Sequence, residues 1–251
     1  MTDILFEYDH ILIRSEYKTP DLHRHLASHV VVSLAGDLHG EASGNAFRAN
    51  GVCIASDVLH TVCAPDGELL LYLFDTSSSA SKILSRDYLN GTDFCVLENA
   101  IVEKIRAVWN TEKTHSLAAA DVQIRSVLGL SPLHEEKSDL RIERVLSFLK
   151  SLDEIPEDIM PRLSSIACLS QSRLSHLFTQ QVGISLHRYL AMEKMRKGYI
   201  HFQKSGNISQ AALDAGFDSP SHFAATCKRM FGISFSDFTK SMEHPSRQNS
   251  I

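Results

Sequence analysis

SQSRLSHLFTQQVGIS, residues 170–185, returns forty-nine positions later as SPSHFAATCKRMFGIS, residues 219–234. Each copy opens on a serine suited to cap a helix and carries an apolar stripe: Leu174, Leu177 and Phe178 in the first, Phe223 and Cys227 with Met230 and Phe231 in the second. Each closes on Gly-Ile-Ser, where glycine suits the left-handed residue that ends a helix. One amphipathic helix per copy follows. Shorter helices are expected upstream, in RLSSIACL ending near Leu169 and QAALDAGF ending near Phe217, with small residues Ser164 and Ala212 where the paired helices must cross closely. Ala167 and Leu169 match Ala215 and Phe217 at an offset of 48, whereas everything beyond matches at 49, so the two turns differ by one residue. The pattern predicts two helix-turn-helix modules. LHRYLAMEKMRKGYIHFQKS, residues 186–205, has the length and composition of a helix joining them.

Charge divides along the chain. Residues 1–138 hold 11 Lys and Arg against 19 Asp and Glu, while residues 160–242 hold 10 against 4, within a net charge of −5. A basic C-terminal part implies a polyanionic partner for that part alone. The 43% hydrophobic content fills ordinary cores. The longest apolar run, LLLYLF at 69–74, is far short of a membrane span, and Asp3 and Glu7 stand where a signal peptide would be basic. These features predict a cytoplasmic protein with no membrane partner. Five widely spaced cysteines without a CxxC pair argue for reduced, mostly buried thiols and against a disulfide framework or thiolate zinc site.

The N-terminal half reads differently. HVVVSLAGDLHG, GVCIASDVLHTV and GELLLYLF are short β-branched or leucine-rich runs punctuated by Gly, Asp, Asn and Pro, the pattern of an antiparallel β-barrel or sandwich. Residues 98–130 switch to helical spacing (Ile101, Ile105, Val108 and Trp109, then Val122, Ile124, Val127 and Leu128), which predicts two paired helices. Their apolar faces are expected to meet a second copy of the chain, with Ile105 and Leu128 at a homodimer contact. SPLHEEKSD at 131–139 is polar and proline-bearing, and helical periodicity resumes at Ile142, Val145, Leu146 and Leu149. The expected organisation is a domain over 1–130, a linker over 131–138, an all-α domain over 139–242 and a flexible tail over 243–251.

SxSxLSHLF…GIS, a linker helix containing YL…M, and ISQAALDAGFDSPSHF…KRMFGISFSDF together resemble the double helix-turn-helix domain of AraC/XylS-type transcription regulators, over about residues 140–241. HRH, SDVLHTVCAPDGELLLYLF and the two following helices are similar to the cupin-like sensor and dimerisation domain that many such regulators carry. The resemblance implies a homodimeric regulator that binds double-stranded DNA and a small-molecule effector, with RNA polymerase as a further partner and no cofactor or catalytic residue. It also implies that the exposed faces of both recognition helices enter successive major grooves. Ser172, Ser175, His176 and Gln180 are carried over as DNA contacts on the first, and Ser221, His222, Ala225, Lys228 and Arg229 on the second. The residues agree for the first helix, because positions 172, 173, 175, 176, 179 and 180 fall opposite its apolar stripe and are all polar. The second offers Ala224 and Ala225, which reach little beyond a thymine methyl. Gly198, where relatives carry Ala, and Cys168, at a turn position usually held by Gly, are expected to be neutral.

In the N-terminal half, His23 and His25 lie two apart, on one face of a strand, and His60 precedes another strand. Three imidazoles suit a metal. Cupin enzymes, however, follow the HxH pair with a carboxylate where this sequence has His29, so no metal is assigned, and His23, His25 and His60 are expected to line an effector pocket in the barrel. Two other readings stay open: a metal-dependent cupin enzyme fused to a DNA-binding domain, and a DNA-binding protein whose barrel serves only to dimerise.

Overall fold

The computed structural model describes residues 3–16, 22–112, 116–130 and 139–231, the side chains of Glu112 and of Arg229 to Phe231 excepted. The linker expected at 131–138, the second Gly-Ile-Ser at 232–234 and the tail at 243–251 lie outside the described residues. The chain divides into two compact units, with breaks between Ser131 and Pro132 and after Cys227.

The first unit is built on two antiparallel sheets. Strands β1 (Asp3–Phe6), β2 (His10–Glu16), β3 (Ser28–Ser33), β6 (Gly51–Ile54), β8 (Glu68–Phe74) and β9 (Phe94–Val96) form one, in the order β1-β2-β8-β3-β6-β9. β4 (Leu38–Ala42), β5 (Asn45–Ala49) and β7 (His60–Cys63) form the other, in the order β5-β4-β7. The continuous apolar runs are explained by a larger sheet covered on both faces. Val30 and Val32 of β3, with Leu70, Tyr72 and Phe74 of β8, point to one side; Val31 and Leu69 point to the other, where Leu38, Val52, Ile54 and Val62 complete a core between the sheets. The alternation is that of the pleat.

Helices close the first of those faces. α1 (Ser79–Ile83) widens into a π-helical stretch (Leu84–Leu89), and α2 (Asn99–Glu112) and α3 (Leu117–Val127) follow as an antiparallel pair. Ser116 caps α3 by accepting a hydrogen bond from the Ala119 N–H. Val102, Ile105, Trp109, Ala120, Ile124 and Leu128 are all buried against the sheet. The expected dimer contact at Ile105 and Leu128 is therefore corrected: the larger sheet of the same protomer satisfies the apolar stripe, and both residues are buried within it.

A buried ionic cluster pins α3 to the sheet. His10 Nδ1 lies 2.8 Å from Asp9 Oδ1, His10 Nε2 lies 3.0 Å from Asp121 Oδ1, and Arg125 Nη2 reaches Asp9 Oδ2 at 3.3 Å. Burial disfavours a charged imidazole at position 10, but the two carboxylates outweigh it and raise its pKa. Asp9 is held below the usual carboxylate range because its bonds to His10 and Arg125 outweigh its own desolvation.

The second unit is all helical: α4 (Leu140–Ser151), α5 (Ile159–Ala167), α6 (Gln171–Val182), α7 (Leu186–Ser205), α8 (Ile208–Asp214) and α9 (Pro220–Phe231). Asp139 caps α4 by accepting from the Arg141 N–H, and Ser185 caps α7 by accepting from the Arg188 N–H. α7 carries both modules. Phe178 of α6 meets Tyr189 edge to face at 5.2 Å between ring centres, and the Phe223 ring of α9 lies against Gly198. These two supports are nine residues apart, about 13.5 Å along the helix axis.

Gly198 is not neutral. A Cβ there would lie 2.8 Å from Phe223 Cε2, and Phe223 is fully buried against Phe217 at 4.9 Å, so the ring has little room to yield. Nor is Cys168, which adopts φ 52° and ψ 41° at the end of α5, a left-handed conformation that costs a side-chain-bearing residue about 1–2 kcal/mol. The expectation of mostly buried thiols also fails in part. All five cysteines are free, but only Cys53 and Cys227 are buried, and Cys168 is exposed because its turn projects it outward.

Two outcomes follow from this packing. Gly198→Ala gains about 1 kcal/mol of helix propensity but overpacks Phe223 at about 1–3 kcal/mol, for a net loss, whereas Cys168→Gly gains about 1 kcal/mol; urea unfolding of both variants followed by far-UV circular dichroism checks the opposite signs. His10→Ala leaves two buried carboxylates short of a partner and lowers the stability of the first unit by about 3–5 kcal/mol. The raised pKa means that the charge-dependent share of this stability is present below pH 6.5 and fades as pH rises through the folded-state value, so the loss measured at pH 6 exceeds that at pH 9.

Candidate functional site

The two modules end their first helices in the same way. In the first, the Cys168 N–H donates to Ser165 O at 3.1 Å and the Leu169 N–H to Ser164 O at 3.0 Å. In the second, the Gly216 N–H donates to Leu213 O at 2.9 Å and the Phe217 N–H to Ala212 O at 3.0 Å. Cys168 and Gly216 are the left-handed residues of these matching turns. Glycine is required at the second: a Cβ on Gly216 would meet Ile155 O at 2.5 Å. The extra residue then appears between Phe217 and the capping Ser219, whose Oγ accepts from the His222 N–H at 3.1 Å; Ser170 plays the same part for Arg173 at 3.4 Å. The one-residue difference between the turns is thus located.

α6 presents a polar face. Leu174 and Phe178 are buried and Leu177 is half-buried, while Ser172, His176, Thr179 and Gln180 are exposed and Ser175 is half-buried. The Ser175 hydroxyl donates to Gln171 O at 2.9 Å, which leaves its oxygen free to accept. Arg173 is also exposed on this face. It was in the outward set of positions but not among the assigned contacts, although a guanidinium in the first turn of such a helix is suited to phosphate or guanine.

α9 is arranged differently. Ser221, His222, Ala225 and Lys228 are exposed, Ala224 is half-buried, and the Arg229 side chain lies outside the described residues. His222 Nδ1 lies 2.9 Å from Asp218 Oδ2, and its ring packs edge-on to Phe217 at 5.6 Å. His222 is therefore a held side chain with a carboxylate beside it, which the sequence did not indicate.

In the first unit the structure brings His23, His25 and His60 together and adds His29. His23 and His60 exchange backbone hydrogen bonds, His23 N–H to His60 O at 3.0 Å and His60 N–H to His23 O at 2.8 Å. His29 shares with Val31 the face of β3 that looks toward the smaller sheet, and His60 opens β7 of that sheet. Ring centres are 4.3 Å apart for His25 and His29, 4.5 Å for His29 and His60, and 4.6 Å for His23 and His60. His25, His29 and His60 are buried, and His23 is half-buried. Desolvation, followed by the neighbouring imidazoles, pushes the His25 pKa down to about 3 and that of His29 well below its ordinary value; desolvation is also the main reason His60 falls to about 4. All three are neutral at pH 7. A separate surface cavity of about 460 Å³, lined by Asp87, Tyr88, Cys95, Glu98, Ile101 and Leu128 among others, lies away from the histidines. No sequence signal marked it, because its walls come from four separate elements.

A model of the helix-turn-helix domain family matches residues 163–241. The HTH-type transcriptional regulator MtrA of Neisseria gonorrhoeae is 26% identical over 139 residues, 51% of this chain and 46% of MtrA. LumQ of Photobacterium leiognathi, a probable transcriptional regulator, is 31% identical over 104 residues, 41% of this chain and 42% of LumQ. The arabinose operon regulatory protein of Escherichia coli is 34% identical over 77 residues, 30% of this chain and 26% of that protein. The chain spans less than half the length of these curated relatives. Among solved structures, ToxT from Vibrio cholerae is similar over 94% of this chain and 99% of its own, at 11% identity and a TM-score of 0.47. An RmlC-like cupin from Shewanella frigidimarina covers 29% of this chain and 72% of its own, at 19% identity and a TM-score of 0.26. The matched region holds the paired helix-turn-helix modules, and the relatives that align with this chain are named as transcription regulators.

Proposed function

We propose that the chain is a sequence-specific DNA-binding transcription regulator, not an enzyme, whose N-terminal barrel binds a small effector. The observation that carries this reading is the pair of helix-turn-helix modules with matching turn hydrogen bonds, both seated on α7. Curated relatives of the matched region are named as transcription regulators. Homodimerisation and contact with RNA polymerase belong to the same proposal and follow from the resemblance, as does a cytoplasmic location; among the described residues no helix is long and apolar enough to cross a membrane.

α6 is the reader and α9 the anchor. On α6, Ser172, Arg173, Ser175, His176 and Gln180 offer both donors and acceptors toward base edges, with Ser175 restricted to accepting by its bond to Gln171. On α9, Ala225 offers no polar group, and Asp218 holds His222 and adds negative charge near a polyanion. Lys228 and Arg229 are left to contribute through phosphate. Effector control requires that the ligand bind one arrangement of the protein better than another, since equal affinity for both shifts nothing.

A protomer should protect two adjacent major grooves on one face of DNA, about 10 base pairs apart centre to centre. His176→Ala should relax preference at one or two base pairs and cost about 1–3 kcal/mol on the selected site, while Lys228→Ala should weaken all sequences similarly and reduce the salt slope by about one. Sites selected from random DNA, followed by footprints and salt titrations on both variants, check this. The assignment is reversed if Lys228→Ala alters sequence preference and His176→Ala weakens every site equally.

A further inference from the structure

We infer that His23, His25, His29 and His60 form a binding site for one divalent first-row transition-metal ion in the N-terminal barrel. The ligand nitrogens of His23, His25 and His60 all lie within 4.8 Å of one another, and His29 Nε2 is 2.7 Å from His25 Nε2. A tetrahedral ion with metal–nitrogen bonds of about 2.0–2.1 Å holds its ligands about 3.4 Å apart. The first three therefore draw in slightly and the last pair opens slightly, changes within reach of ring rotation.

Packing alone does not account for four imidazoles at this place. Phe or Leu would fill the same volume without burying ring nitrogens, whose removal from water is costly unless they are bonded. His29 Nδ1 is buried without a hydrogen bond of acceptable geometry, and among the described residues no carboxylate joins the group to supply a counter-charge. His60 is already oriented for coordination: its Nδ1 lies 2.8 Å from Val58 O, so Nδ1 carries the proton and Nε2 keeps its lone pair.

The donor set selects the class of ion. Four neutral nitrogens suit zinc, cobalt, nickel, copper or ferrous iron, whereas magnesium and calcium require oxygen ligands. His23, half-buried, is the side from which the ion enters and from which an anion or water can complete its shell. If the chain is the regulator proposed above, the ion is the barrel's ligand or the anchor of one; this last step rests on that reading, and the site itself does not.

The test uses the full chain, stripped with a chelator and titrated with Co2+ followed by Zn2+. The expected result is one equivalent of Co2+ with visible absorption bands of a nitrogen-coordinated ion, displaced by Zn2+, and a higher melting temperature of the first unit. His25→Ala and His60→Ala should each weaken Co2+ binding by more than about tenfold, since even outer partners of metal ligands are worth 10–100-fold. His39→Ala, exposed on β4, should bind as the parent does. If a buried-site variant fails to fold, half-buried His23→Ala replaces it with the same expected loss. Absence of stoichiometric binding to the parent chain, or full binding by the cluster variants, overturns the site. DNA affinity measured with and without Zn2+ separates the two proposals: metal bound with no DNA binding in either state sinks the regulator reading and leaves the site standing, whereas DNA binding without metal binding does the reverse.

Discussion

The missing Cβ at position 198 fixes how the second recognition helix is carried. With glycine there, the Phe223 ring lies directly against the backbone of α7, and Phe217 closes over it from the turn. Lys194, one turn earlier on α7, donates to the Gly216 carbonyl at 2.8 Å and ties down the same turn. Gly216 in turn fits its left-handed conformation into a space bounded by the Ile155 carbonyl. Position 198 sacrifices about 1 kcal/mol of helix propensity for that approach. Because Phe178 and Tyr189 seat α6 on the same helix, the separation of the two modules is set by the rise of α7 and not by a loop.

Periodicity made much of this legible in advance. Residues 186–205 form one helix with the bounds that composition suggested, because Ser185 and Gly206 are effective stops at its ends. The shift from an offset of 48 to one of 49 located a real difference in turn length, since Schellman turns constrain their residues tightly. What failed was partner assignment. The stripes of α2 and α3 announced that something apolar must cover Ile105 and Leu128, but a helical pattern does not say whether the cover is another protomer or the same sheet. Gly198 failed for a related reason: its neighbour Phe223 is twenty-five positions away, and a propensity scale contains no such neighbour.

Sites were legible in proportion to how local they are. His23 and His25 stood out by spacing, although the strand expected to carry them is absent: His23 makes an isolated bridge to His60 and His25 lies outside any strand. His29 was visible only as the residue standing where cupin enzymes carry a carboxylate, because spacing does not show where β3 turns it. Asp121 gave no signal at all, being one acidic residue within an amphipathic helix. His222 was legible as an exposed residue of a recognition helix, yet its tie to Asp218 depends on the exact length of the preceding turn.

The pleat of the larger sheet explains why histidines within a single small unit are shifted in opposite directions. His10 shares its face of β2 with Leu12, which looks toward the helices, and there it meets Asp121 of α3. His29 shares its face of β3 with Val31, which looks toward the smaller sheet, and there it meets other imidazoles. Burial disfavours the charged form at both places. Carboxylates overcome it at the first and raise the pKa; at the second the Ile54 backbone does not outweigh it, and the pKa falls. A one-residue register shift in either strand would exchange the faces and carry His10 away from its carboxylates, or His29 away from the other imidazoles. The alternation that fills both cores therefore also separates a carboxylate-bonded histidine from a cluster of histidines.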